Sequence, residues 1–122
     1  MTALMPETIV AGAVTYRVIC DKREFAQLER RADRKGDILG RSEHTEAIIY
    51  INPAAPTDVQ RLTLLHECLH CLLYSVMGDP SWENLGEKEA DREERVVCMF
   101  ESPLLLLLRD NPELVAYLTR PI

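Results

Sequence analysis

The spacing of apolar positions changes part-way along this chain, from strand-like in the first third to helical in the rest. Val14 to Cys20 is β-branched and partly alternating, which predicts a strand. From Asp21 to Arg34, Phe25, Leu28 and Ala32 recur at helical spacing among charges, so a helix is expected there, ended by Gly36. Ile38 to Arg41 fits a short strand. Ala47 to Ile51 is the strongest strand signal in the chain, and Asn52-Pro53 stops it. Pro56-Thr57-Asp58 then opens a long helix, with Thr57 or Asp58 as N-cap, which Gly78-Asp79-Pro80 ends just after Met77. Ser81 to Gly86 is a loop carrying the single tryptophan, Trp82. The charged segment Glu87 to Arg95 runs directly into Val96 to Phe100, predicting one helix that is polar first and buried later. Pro103 should kink it or start a new one, continuing through Leu104 to Arg109. Asn111 as N-cap and Pro112 at the first helical position predict a short closing helix.

The fold class is therefore α+β: a small antiparallel or mixed sheet followed by helices. A single domain is expected over residues 1–122, β-rich in 1–53 and helical in 57–120. The strand before the long helix has a possible role, because a sheet edge there would accept an extended peptide as another strand.

Composition narrows the function classes. A net charge of −6 and a pI near 5.0 argue against nucleic acid as the main ligand and leave peptides open. The longest leucine run, Leu104 to Leu108, falls far short of the roughly 20 residues of a membrane span. No secretory leader is visible. Cys20, Cys68, Cys71 and Cys98 read as reduced thiols, which suits a cytoplasmic protein.

The candidate chemistry lies in the long helix. His66-Glu67-Cys68-Leu69-His70 spells H-E-x-x-H. Positions four apart on a helix differ by only about 40°, so His66 and His70 share a face and can hold one ion between their imidazoles. Glu67 lies at the edge of that face, where a carboxylate can take a proton from a water on the ion. This is the donor set of a zinc peptidase. Two of the three histidines in the chain fall in the motif, among Leu62, Leu64, Leu65, Leu69, Leu72 and Leu73, so a largely buried helix is expected. Cys68 and Cys71 are about 200° and 140° round from His66 and cannot join both histidines on one ion, so they read as packing thiols.

A catalytic zinc takes three protein ligands and a water. His44 lies upstream in a loop. Downstream, Glu83, Glu87, Glu89, Asp91, Glu93 and Glu94 are mostly solvated charges. The useful one should sit where the second helix becomes buried, which points to Glu93 or Glu94. Glu93 shares its face with Val96, Val97 and Phe100; Glu94 shares its face with Val97, Cys98 and Glu101. Apolar packing alone slightly favours Glu93.

The segment Thr63 to His70, followed by Glu93-Glu94-Arg95-Val96-Val97, resembles the short ImmA/IrrE-type zinc metallopeptidases, minimal gluzincins of bacteria, mobile elements and phages. The likeness spans roughly Ala47 to Leu118. It implies a zincin-like fold and a third ligand on the helix after the motif. Glu94, followed by Val97, Phe100 and Leu104-Leu105, matches that spacing better than Glu93, with Glu87 a distant third. The ending Leu108 to Leu114 is similar to small phage-encoded members. Cys98 departs from the pattern, standing where the family usually has Asn or Asp, and the short chain leads to the expectation of no appended sensor domain.

The resulting expectation is a hydrolase: a zinc-dependent peptidase with His66, His70 and Glu94 (alternatively Glu93) as ligands and Glu67 as general base. Its partner would be a peptide or protein substrate of phage or host origin, in the cytoplasm or on a virion. His44 and Tyr50 are candidates for stabilising the oxyanion, each with a structural role as the plainer reading. The alternative is a zincin-fold binding or assembly module without useful turnover, and a third is a helical protein with no metal.

Overall fold

A computed structural model describes residues 4–32, 38–77 and 88–120. The chain is α+β, with a mixed four-stranded sheet and four helices. Strand β1 (Thr8–Ala11) turns through Gly12, at φ 63°, into β2 (Val14–Ile19). Helix α1 (Lys22–Ala32) follows, its start capped by the Asp21 carboxylate, which accepts the Glu24 N–H at 2.9 Å. Strands β3 (Gly40–Glu43) and β4 (Ile48–Ile51) form a hairpin, and helices α2 (Thr57–Met77), α3 (Glu89–Asp110) and α4 (Pro112–Thr119) complete the chain.

The strand order is β1-β2-β4-β3. β2 and β4 run parallel, with Val18 opposite Ile49, and both outer pairs are antiparallel. All four β4 residues are buried, because each face of the sheet is covered. Alternation divides them. Ile49 and Ile51 pack with Leu64, Cys68, Cys71 and Leu72 of α2, Leu107 of α3, and Leu114 and Tyr117 of α4. Ile48 and Tyr50 pack with Phe25 and Leu28 of α1.

This order corrects one expectation. The strand before the long helix, β4, is internal; the edge beside that helix belongs to β3. Pairing decides it, since β4 is flanked by β2 and β3. The short strand expected at Ile38 to Arg41 lies two residues later, at Gly40–Glu43, while Asn52 bridges back to Ile38 and Leu39 through its side chain and backbone N–H. β1 carries no prediction from the sequence.

Helix ends also differ from expectation. Neither Thr57 nor Asp58 is the N-cap of α2, because the first helical bond runs from the Gln60 N–H to the Pro56 carbonyl. α3 continues through Pro103 as one helix. Asn111 precedes Pro112 as expected but makes no side-chain cap. Its buried amide instead pairs with β1: Oδ1 accepts the Val10 N–H at 2.8 Å, and Nδ2 donates to Val10 and Leu107 carbonyls. One side chain thus satisfies both outward backbone groups of Val10, as a neighbouring strand would. The breaks expected at Gly36 and Gly78-Asp79-Pro80, and the Trp82 loop, lie outside the described residues. No described helix is long and apolar enough to cross a membrane.

Candidate metal and catalytic site

Register places the site. Gly40 and Ser42 sit opposite Ile51 and Ile49, so the pleat turns them toward α2. Arg41 and Glu43 point to the other face, where they pair at 3.1 Å. On α2, Thr63, Glu67 and Cys71 follow one another at helical spacing and are buried toward the sheet. The two surfaces meet closely: a Cβ on Gly40 would stand 2.5 Å from Thr63 Cγ2 and 3.3 Å from Glu67 Cγ.

Glu67 is 6% exposed, and its carboxylate is held from β3. Ser42 Oγ donates to Glu67 Oε1 at 2.9 Å, and the Cys71 thiol lies 3.7 Å behind Ser42 Oγ. His66 and His70 project from the next face of α2 and are exposed, contrary to the expectation of buried histidines. Leu62 and Leu69 of the same helix are exposed too, so its leucine content overstates its burial. The imidazoles converge, with Nε2 to Nε2 at 3.1 Å and rings edge to face. Two nitrogens at about 2.0–2.1 Å from a tetrahedral ion stand roughly 3.3 Å apart, so this pair is spaced to hold one zinc.

All three histidines of the chain line one cavity of about 350 Å³, with Gly40, Arg41, Ser42 and Glu67. His44, the first residue of the β3–β4 turn, is fixed twice. Tyr16 Oη meets its Nδ1 at 2.9 Å, and the Tyr74 ring stacks on it at 4.1 Å with 2° between planes. Burial lowers the His44 pKa below its ordinary value, and nearby His70 adds to this, against Glu67 and Glu43. Burial, with Cys71 beside it, holds the Tyr16 phenol protonated far into the alkaline range. Tyr50 faces the opposite way, into the α1 core, and is not part of the site.

Among the described residues, no group of three or more His, Cys, Asp or Glu side chains converges to hold a metal. Glu94 is exposed and accepts the Cys98 thiol at 3.5 Å. Glu83 and Glu87, and the side chains of Glu89, Asp91 and Glu93, lie outside the described residues. The structure therefore brings together His66, His70 and Glu67, adds Ser42, His44, Tyr16 and Tyr74, and does not bring Glu94 to them. The sequence reading missed Tyr74, although its place four residues beyond His70 puts it on the same helix face; Ser42 and Tyr16 reach the site only through strand register.

Cys68 and Cys71 are fully buried packing thiols, and all four cysteines are unpaired. Burial pushes Cys68 up to about 12 and Cys71 up to about 11. An unfolded thiol releases its proton near pH 9, before the folded one does. This stabilisation is therefore complete below pH 9 and is lost as pH rises toward 11 and 12, by up to about 1.4 kcal/mol per pH unit for each thiol. Urea midpoints under reducing conditions should fall between pH 8.5 and 10.5, and Cys68→Ala should flatten that slope. An unchanged slope in the variant removes the assignment.

No protein-family model, curated protein or solved structure matches this chain.

Proposed function

We propose that the protein is a zinc-dependent peptidase of zincin-like fold. The observation that carries this is the 3.1 Å approach of His66 and His70 beside a buried Glu67 carboxylate held by Ser42, on one cavity. His66 and His70 would hold the ion; Glu94, with Glu93 as its alternative, is the third ligand that the motif resemblance implies, and α3 would have to carry Glu94 toward the pair to supply it. Zinc there supplies a Lewis acid that acidifies a water toward about pKa 7 and polarises a carbonyl. Ser42 engages Glu67 Oε1, so Oε2 is the oxygen that takes the water's proton and returns it to the leaving amine. The outer side of β3 pairs with no described strand, and it offers backbone groups to an extended peptide or protein segment. A second cavity of about 390 Å³, walled by Ile38, Leu39 and Leu62, adjoins Gly40, His66 and Glu67 and suits an apolar substrate side chain. Membership of the ImmA/IrrE-type peptidases, a phage source, and a cytoplasmic or virion-associated setting belong to the same proposal and rest on the motif resemblance.

One observation favours a second reading, a metal-holding binding or assembly module: no third donor converges on the histidine pair among the described residues. Two measurements separate the readings. Protein purified without chelators should contain one zinc per chain and cleave a peptide library in a chelator-sensitive way. Metal without cleavage selects the module, and absence of zinc rejects both. His66→Ala and His70→Ala should each reduce bound zinc to background, by elemental analysis, with the fold intact by circular dichroism.

A further inference from the structure

His44 is the one histidine of the cavity outside the motif, and its ring has little freedom. Tyr16 comes from β2 and Tyr74 from α2, so two elements that the fold fixes independently hold one imidazole. Tyr16 meets it edge-on, with ring centroids 5.9 Å apart, and Tyr74 sets the ring plane. The clamped ring borders the same cavity as Glu67, His66 and His70.

Tyr16 Oη and His44 Nδ1 share one hydrogen bond in which either can donate. With the phenol as donor, the imidazole proton sits on Nε2 and the ring presents an N–H donor to the cavity, and this is the arrangement that the proposal takes. Resting on the peptidase reading above, we propose that His44 is a catalytic residue, whose Nε2–H donates to the carbonyl oxygen of the scissile bond as negative charge develops there. Tyr16 and Tyr74 are positioning residues that act through it.

The step balances within the groups named. Water oxygen bonds to the carbonyl carbon while its proton passes to Glu67 Oε2. The carbonyl π pair moves onto oxygen, where the His44 Nε2–H meets it. Collapse restores the carbonyl, breaks the C–N bond and delivers the Glu67 proton to the leaving amine. His44 keeps its proton throughout and works as a hydrogen-bond donor.

The test combines nitrogen NMR with kinetics on the full chain. In ¹⁵N-labelled wild-type protein, His44 should show the Nε2–H tautomer near neutral pH. Tyr16→Phe should mix the two tautomers and lower kcat by about tenfold. With a quenched-fluorescent peptide selected as cleaved by the wild type, His44→Ala should lower kcat by about 10²–10³-fold. KM should stay within threefold and zinc content unchanged. His44→Gln, which keeps an N–H donor, should recover part of the rate. An Nδ1–H tautomer in the wild type overturns the proposal. So does a His44→Ala enzyme with kcat within threefold of wild type, an outcome that leaves the zinc-peptidase reading standing. A wild type that binds zinc and cleaves no peptide, or binds no zinc, overturns both.

Discussion

Glu67→Gln should retain zinc and lose peptide hydrolysis by about 10²–10⁴-fold, the range that a positioned general base contributes. The substitution is nearly isosteric. A glutamine Oε1 still accepts from Ser42 Oγ, as Glu67 Oε1 does at 2.9 Å, so the side chain keeps its place against β3. What disappears is the second oxygen, replaced by an amide nitrogen with no lone pair to take a proton. Stability should not fall, because a carboxylate that is 6% exposed becomes a neutral group of the same shape. Single-turnover cleavage, zinc stoichiometry and a thermal melt on the same sample check the three parts. Hydrolysis within twofold of wild type, with zinc retained, removes Glu67 from the chemistry. Loss of zinc as well would show that Glu67 supports the ion rather than the water.

The elements whose signals are local were legible in the sequence. α2 starts near Pro56 and carries the histidines on one face because helical period alone dictates it. β2 and β4 announce themselves through runs of β-branched residues. The misses share a different cause. β1 is four residues long, and what satisfies the outward backbone groups of its Val10 is the amide of Asn111, 101 positions away. Which strand forms the edge beside α2 depends on β4 pairing parallel to β2, a choice that no property of the Ala47–Ile51 segment reveals. The motif told where Glu67 lies but not what holds it, since Ser42 looks like an ordinary loop serine until register turns it toward α2. The histidines were expected to be buried because leucines surround them in sequence. The leucines split between faces, and Leu62 remains 69% exposed.

Gly40→Ala should destabilise the fold by about 3 kcal/mol, the upper end of overpacking costs, and lower hydrolysis by about a hundredfold. The cause is space. An added Cβ would lie 2.5 Å from Thr63 Cγ2, 3.0 Å from the Tyr50 carbonyl oxygen and 3.3 Å from Glu67 Cγ. Thr63 is buried on a helix and Tyr50 contributes backbone from the central strand, so neither can swing aside as an exposed side chain would. Relief must come from β3 moving off α2. That motion carries Ser42 away from Glu67 and shifts His44 with the turn that follows, so the carboxylate, its anchor and the cavity wall are displaced together. Thr63→Ser removes the methyl that makes the tightest contact and keeps the hydroxyl. Combined with Gly40→Ala, it should restore roughly half of the lost stability and part of the activity, because the 3.0 Å contact to Tyr50 remains. A double-mutant cycle read by urea denaturation should therefore show favourable coupling of about 1 kcal/mol or more between the two positions. Strict additivity would mean that β3 does not rest on α2 at Gly40, and the close approach that holds Glu67 against the sheet edge would have to be abandoned.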